Sequence, residues 1–459
     1  MRIVLMAINA RYTHSSLALR YLRNALEIRS LQRGLDYEPM LREYHISQPR
    51  LDIVRDVAAR RPALLLISSY IWNAELLSLL LPDLRALVPA CRIVLGGPEA
   101  AYNPDPWLVG HPEIDLIVRG SAEAAAELFC DPSFSFDAYP GRYVELSPTP
   151  FASVPFPYRD DDFAELAGRY LYYETSRGCP FRCAYCLSSR EDQALEEKDA
   201  VTACAELDAL VAAKPGLVKL VDRSFNAGPE RARLIWRHLI REHADSGCRF
   251  HFELHPLFLE DEDYRLLANA PEGFFQFELG VQTVHTATRA AIGRGGDWPR
   301  EKAAIARLIA LKTVHLHLDL IAGLPGEGLP ELAQSFNELM ELGADQLQLG
   351  FLKGLPGTAL REGAASFGAL FQAHAPYEVL RTDSLSSEDL SALKRVEALA
   401  DSLYNSGRFR ADMKRAAVLY GGYFTAYEAF AGHAEGRGFD LRTKDRMKLA
   451  PLLEEFLSR

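Results

Sequence analysis

Short apolar runs, each closed by glycine or a polar residue, alternate with stretches of helical period twice along this chain. Over residues 1–130 the runs Arg2–Ile8, Leu64–Tyr70, Arg92–Gly97 and Leu116–Gly120 read as strands. Helical patterns lie between them at Leu17–Leu31, Leu51–Arg60 and Ala74–Val88. This order predicts an α/β fold with a doubly wound, Rossmann-like parallel sheet, its ligands at the C-terminal strand edges. No Gly-x-Gly-x-x-Gly follows the first strand, which disfavours a nicotinamide or flavin dinucleotide.

Residues 131–167 open with a stretch dominated by Pro, Phe, Ser and Asp and read as a linker, extended and draped over a neighbour. A second alternation fills 168–370, with strands at Leu171–Ser176, Leu217–Phe225, Arg249–His255, Phe274–Gln282, Val314–Gly323 and Gln346–Lys353. Six βα repeats with sites at their C-terminal strand ends are expected. Residues 371–459 read as a helical domain, with helices at 386–405, 411–432 and 443–457. Its Asn405–Phe409 and Tyr420–Phe424 segments are expected to reach toward the mouth of the preceding domain.

A net charge of −11 does not give the field expected of a non-specific nucleic-acid binder. No apolar run approaches the roughly 18 residues of a membrane span. The first residues, Met-Arg-Ile-Val-Leu-Met-Ala-Ile, read as a buried strand rather than a signal peptide. Seven cysteines, an odd number with three clustered, point to a reducing compartment, by default the cytoplasm.

Those three, Cys179, Cys183 and Cys186, form a Cys-x3-Cys-x2-Cys cluster with Tyr185 just before the last thiol. Three thiolates so close can hold three irons of a 4Fe–4S cluster and leave the fourth iron open, whereas four would suit plain electron transfer. Structural zinc wants four ligands, and no His-x3-His pair follows. Inert core thiols are the other ordinary reading.

Arg177-Gly-Cys-Pro-Phe-Arg-Cys-Ala-Tyr-Cys186 resembles the cluster loop of radical S-adenosylmethionine (radical SAM) enzymes. The resemblance implies an open (β/α)6 partial TIM barrel. It also implies a 4Fe–4S cluster on Cys179, Cys183 and Cys186, and SAM cleaved to a 5′-deoxyadenosyl radical. Tyr185 matches the position whose backbone contacts adenine. Leu220-Val-Asp-Arg-Ser-Phe225 stands where many members carry Gly-Gly-Glu, which makes Asp222 the candidate for the SAM amino group. Glu253, Glu278 and Gln282 match strand segments whose polar groups meet the methionine and ribose. Strand parity agrees: Gln276, Glu278, Gly280 and Gln282 share one face and Phe275, Phe277 and Leu279 the other. An ion pair with a barrel arginine is the ordinary alternative for these carboxylates. Asp319-Leu-Ile-Ala-Gly-Leu-Pro-Gly-Glu327 resembles the adenine-lining motif, with Gly323 small enough for a flat ring to approach.

Residues 1–130 resemble the cobalamin-binding domain of the cobalamin-dependent radical SAM family, through Gly96-Gly-Pro-Glu-Ala100 and Arg119-Gly-Ser-Ala-Glu123. Ser121 and Ala122 depart from the more frequent Gly-Glu-Gly-Glu. Gly96, Gly97 and Gly120 would let the corrin approach backbone, and Ser68 and Ser69 would donate to its amides. The Asp-x-His-x-x-Gly motif for a lower cobalt ligand is absent, and His14 and Tyr70 are possible lower-face neighbours. A helical C-terminal domain also occurs in such proteins.

The resemblance implies a cytoplasmic enzyme that methylates an unactivated carbon and takes electrons from a donor such as flavodoxin or ferredoxin. A radical SAM enzyme without cobalamin, or one using it for a rearrangement or cyclisation, is the first alternative. An iron–sulfur redox sensor is the second. A methylthiotransferase would need a second cysteine trio, which Cys91 and Cys130 cannot supply.

Overall fold

The computed structural model describes residues 1–189 and 194–458, which divide into two units: 1–177 with 196–221, and 178–195 with 222–459.

The first unit holds a six-stranded, all-parallel sheet of β1 (Arg2–Asn9), β2 (Glu38–His45), β3 (Leu64–Ser68), β4 (Arg92–Gly96), β5 (Leu116–Arg119) and β6 (Tyr143–Glu145), ordered 2-1-3-4-5-6. Ile3, Leu5, Ala7, Leu64, Leu66, Val94 and Leu116 pack one face against Leu19, Leu22, Leu26 and Phe129. Val4, Met6, Leu65 and Ile67 are equally buried, as a sheet covered on both faces requires. Strand order reverses between β1 and β3, the switch point outside which such sheets bind ligands.

Two of these strands escape the apolar pattern. The β2 sequence Glu-Pro-Met-Leu-Arg-Glu-Tyr-His is mostly half-buried, as an edge strand allows, so it lacks the continuous apolar run of its neighbours. The other, β6, corrects the linker reading, because residues 143–145 add to the sheet beside β5. Short helices occupy Phe136–Ala138, Phe151–Ser153 and Asp160–Glu165. The segment 131–167 is therefore tied down at several points rather than extended throughout.

Still in the first unit, β7 (Leu171–Tyr173) pairs in parallel with the later β10 (Leu217–Leu220). Between them, β8 (Ser176–Arg177) and β9 (Glu196–Glu197) pair antiparallel. The chain from 178 to 195 thus leaves and returns at one short ladder.

In the second unit β11 (Arg249–Glu253), β12 (Phe275–Gln282), β13 (Val314–Ala322) and β14 (Gln346–Phe351) form a parallel sheet in sequence order. Burial along β12 and β13 alternates strictly, with the fully buried residues apolar and the half-buried ones polar or glycine. On the apolar side Phe225, Trp236, Phe252, Phe275 and Phe277 make a contiguous aromatic core, with Phe225 and Phe252 centroids 4.5 Å apart.

The C-terminal region is helical at Ser387–Leu399, Arg410–Tyr420, Tyr423–Glu435 and Arg446–Leu457. Gly421 and Gly422, at φ 78° and 156°, break what the sequence reads as one helix over 411–432. Two expectations are corrected. A hairpin, β15 (Leu370–Phe371) with β16 (Val379–Arg381), precedes the helices. The Asn405 side chain brackets the backbone of Leu347, near the start of β14, so this part of the cap packs at the opposite end from the strand C-termini. The hairpin strand reaches that end instead: Val379 N–H donates to the Leu352 carbonyl just beyond β14.

Candidate functional site

The thiol loop follows β8 through Gly178, whose φ of 88° a side chain would resist. Backbone bonds pin it within the second unit: Ala184 N–H to Ile292 O at 2.8 Å, and Leu360 N–H to Ala184 O at 2.9 Å. The Phe181 ring stacks on His255, centroids 4.4 Å apart. Cys183 is buried, while Cys179 and Cys186 are half-buried. Burial, and then the negative charge of Cys186 and Cys183, push the Cys179 thiol up from its ordinary value. The three thiols lie within eight residues of one loop that backbone bonds tie down, an arrangement that can serve one polynuclear metal group. The donor set fits an iron–sulfur cluster with one open iron.

The polar faces of β11, β12 and β13 form layers in register. Glu253 is level with Glu278 and Glu278 with His317; Gly280 is level with Asp319. His251 Nε2 lies 3.1 Å from Glu278, and His317 Nε2 lies 3.2 Å from Asp319. Arg223 approaches Glu253 at 3.9 Å. Burial, then Glu278 and Glu253, push the Asp319 carboxyl well above the usual carboxylate range, against the pull of Arg294.

Asp222 is fully buried, with Arg231 at 4.0 Å. Gln282 occupies a positive φ of 69° at a bulge in the β12–β13 ladder, and its buried Oε1 accepts no hydrogen bond. Strain and an orphaned buried acceptor together mark a place where a donor is expected. The Tyr185 hydroxyl is pushed up by burial and by Cys183. At Gly323, φ is 94° and an added Cβ would meet Val379 Cγ1 at 2.8 Å. Room for a flat ring, the reason read from the sequence, is taken on that side by the hairpin.

Arg294 escaped the sequence reading. Its buried guanidinium donates toward Cys183 Sγ at 3.9 Å and to the Gly280 carbonyl. An arginine set in Gly293-Arg-Gly-Gly296, with φ of 64° and 111° at two of the glycines, is the signal that marks it. His251 and His317 were also passed over, though they share strand parity with Glu253 and Asp319.

At the switch-point edge of the first sheet, Ser68 and Ser69 are buried. Ser69 Oγ donates to Gly96 O at 2.7 Å and accepts from Ala100 N–H at 3.0 Å. A Cβ on Gly97 would sit 2.5 Å from Ser69 O, and one on Gly120 2.9 Å from Leu146 Cβ. Ser69, Gly97 and Gly120 therefore fit strand-end loops against one another; these contacts, rather than corrin amides, occupy the Ser69 hydroxyl. Gly96 carries no such clash, an added Cβ meeting only Val118 O at 3.7 Å. The His14 ring is held by Tyr172, Nδ1 to hydroxyl 3.0 Å. Burial, then Lys219 and Arg11, lower its pKa, which favours the neutral imidazole. Tyr70 stacks flat on Trp72, centroids 4.2 Å apart.

Residues 3–129 match the B12 binding domain and residues 173–339 the Radical SAM superfamily. The chain carries a B12 binding domain followed by a radical SAM domain. Residues 365–459 match a protein of unknown function family, DUF4080. The 2-(S-pantetheinyl)-carbapenam-3-carboxylate methyltransferase of Streptantibioticus cattleyicolor is 25% identical over 334 residues, 65% of this chain and 48% of that protein. The cobalamin-dependent radical SAM methyltransferase TokK of Streptomyces tokunonensis is 23% identical over 319 residues, 61% and 45% of the two chains. This chain spans about half the length of these curated relatives. In fold it is similar to the methyltransferase TsrM from Kitasatospora setae with cobalamin and [4Fe-4S] cluster bound, at TM-score 0.64 and 17% identity, covering 81% and 76% of the chains. It is also similar to the cobalamin-dependent radical enzyme OxsB, at TM-score 0.69 and 13% identity, covering 100% and 75%.

Proposed function

We propose that this chain is a cobalamin-dependent radical SAM methyltransferase acting on an unactivated carbon. In this reading residues 1–130 take cobalamin, 131–167 connect, 168–370 carry the radical chemistry and 371–459 support it. The observation that carries the reading is the gathering of three thiols in one pinned loop. When bound, a 4Fe–4S cluster supplies the electron that cleaves SAM to a 5′-deoxyadenosyl radical, and cobalamin supplies a carrier for the methyl group.

The chain's own residues bind, orient and shield. Cys179, Cys183 and Cys186 hold the cluster. Asp222 and Glu253 offer carboxylates to the SAM ammonium. Gln282 Oε1, buried and without a donor, would accept from a ribose hydroxyl. Backbone at Tyr185 and Gly323 would border the adenine, while the hairpin residue Val379 closes one side of Gly323. Glu278 and Asp319, with His251 and His317 beside them, hold or release protons within the polar face of the sheet. Ser68, Gly96 and the loops locked by Ser69, Gly97 and Gly120 frame the cobalamin edge. An electron donor such as flavodoxin or ferredoxin would serve the cluster, in the cytoplasm. Among the described residues no helix is long and apolar enough to cross a membrane.

One observation favours the cobalamin-free alternative: the Ser69 hydroxyl and the open side of Gly97 are taken up by internal contacts. Iron and cobalt per chain, after anaerobic expression with cobalamin and cluster reconstitution, separate the two. About four irons and one cobalt, with 5′-deoxyadenosine formed under strong reductant, support the proposal. Iron without cobalt favours the alternative. Iron without 5′-deoxyadenosine favours a redox sensor.

A further inference from the structure

The Arg119-Gly-Ser-Ala-Glu123 segment, read from sequence as part of the cobalamin site, places its carboxylate elsewhere. Glu123 sits in the first turn of the helix Ala122–Cys130, which Ser121 caps by accepting from Ala124 N–H at 3.2 Å. Its side chain is buried and forks onto Arg177: Nη1 to Oε2 at 3.2 Å and Nη2 to Oε1 at 2.9 Å. A bidentate arginine–carboxylate pair fixes orientation as well as distance. Glu174 accepts from the same guanidinium, Nε to Oε1 at 2.9 Å. The rings of Tyr21 and Phe151 lie 5.2 and 4.7 Å from its central carbon. Arg177 is therefore held by two carboxylates and two aromatic faces, all within the first unit.

Arg177 stands two residues before Cys179 and belongs to the short ladder, Ser176–Arg177 with Glu196–Glu197, at which the thiol loop leaves and returns. The ladder has only two residue pairs, too few to fix a loop alone. Phe151, under the guanidinium, donates its N–H to Glu196 Oε2 at 2.6 Å, so both ladder strands meet the same support. Beyond Arg177, Gly178 turns the chain with its positive φ directly into Cys179.

We infer that Glu123 is a positioning residue for the thiol loop, acting through Arg177, and not a contact to cobalamin. The inference rests on Cys179, Cys183 and Cys186 being cluster ligands. Groups that orient metal ligands without touching the metal typically affect metal retention about 10–100-fold.

The test uses the full chain, reconstituted anaerobically with iron, sulfide and hydroxocobalamin, and compares wild type with E123Q and R177K. E123Q keeps size and burial but loses the charge that grips Arg177. Expected is cobalamin uptake as in wild type, with iron released to a chelator about tenfold faster and an altered EPR response of the reduced cluster to SAM. R177K keeps the charge and loses the fork; it is expected to fall between wild type and E123Q. It carries the test should E123Q fail to fold, as judged by circular dichroism. Reduced cobalamin uptake with wild-type iron release in either variant overturns the inference, as does wild-type behaviour in both measurements. A wild-type chain that takes up no iron overturns the cluster reading, and this inference with it.

Discussion

The Arg294 guanidinium lies 3.9 Å from the Cys183 sulfur, across 111 residues of sequence, and its other terminal nitrogen donates to the Gly280 carbonyl. Among the described residues no carboxylate forms an ion pair with it. A buried cation with no carboxylate within ion-pair reach is costly, and a thiolate-ligated group beside Cys183 would add to the negative charge that Glu301 and Asp319 provide from farther off. Arg294→Met should leave the apo-protein at least as stable as wild type in a thermal melt. The same variant, once reconstituted, should lose iron to a chelator about tenfold faster. A strongly destabilised apo-protein with unchanged iron retention would mean that Arg294 only fills space.

Glu327, at the end of the Asp319–Glu327 segment, is fully buried; Thr283 Oγ1 donates to it at 2.6 Å and Ser335 Oγ at 3.4 Å. Burial, only partly opposed by these donors, pushes its carboxyl from 4.5 up to about 7. The folded chain therefore binds this proton more tightly than the unfolded chain. Its contribution to stability falls as pH rises from about 4.5 to about 7 and is level above that. The full span is about 3 kcal/mol. Glu327→Gln should gain up to that amount over wild type at pH 8 and nearly nothing at pH 5. Urea midpoints at the two pH values decide it, and equal differences at both would refute the assignment.

Cys183→Ala should abolish SAM cleavage while cobalamin uptake stays intact. Both are read from one reconstituted sample, 5′-deoxyadenosine by chromatography and cobalamin by its visible absorption. Loss of cobalamin along with cleavage would contradict the division of cofactors between the two alternations.

Neighbouring glycines give a paired test of the first sheet's edge. Gly97→Ala puts a Cβ 2.5 Å from Ser69 O at φ 89°, whereas Gly96→Ala meets only Val118 O at 3.7 Å. Gly97→Ala should cost at least about 2 kcal/mol and reduce cobalamin uptake. Gly96→Ala should remain near wild type in stability. Denaturant titration of both variants would expose any error in the strand-end packing.

All six barrel-type strands were readable because each is a short apolar or alternating run with turn residues at its end. Parity along Phe275–Gln282 separates a polar face from an apolar one, since side chains in a strand must alternate. The β2 strand was not readable, because an edge strand need not be apolar, nor was the three-residue β6. The hairpin at 370–381 was lost among helical signals, and with it the group that closes one side of Gly323.

By itself the sequence determined the two α/β alternations, the spacing of Cys179, Cys183 and Cys186, and the faces of the alternating strands Phe275–Gln282 and Val314–Ala322. These follow from local chemistry: thiol spacing, side-chain period and turn preference act over a few residues. Only the tertiary structure decided that Arg294 meets Cys183, that Glu123 grips Arg177, and that the Ser69 hydroxyl is engaged by Gly96 and Ala100. Each joins residues 27 to 111 positions apart. Such contacts exist only once buried surfaces have packed and brought distant polar groups within reach of one another.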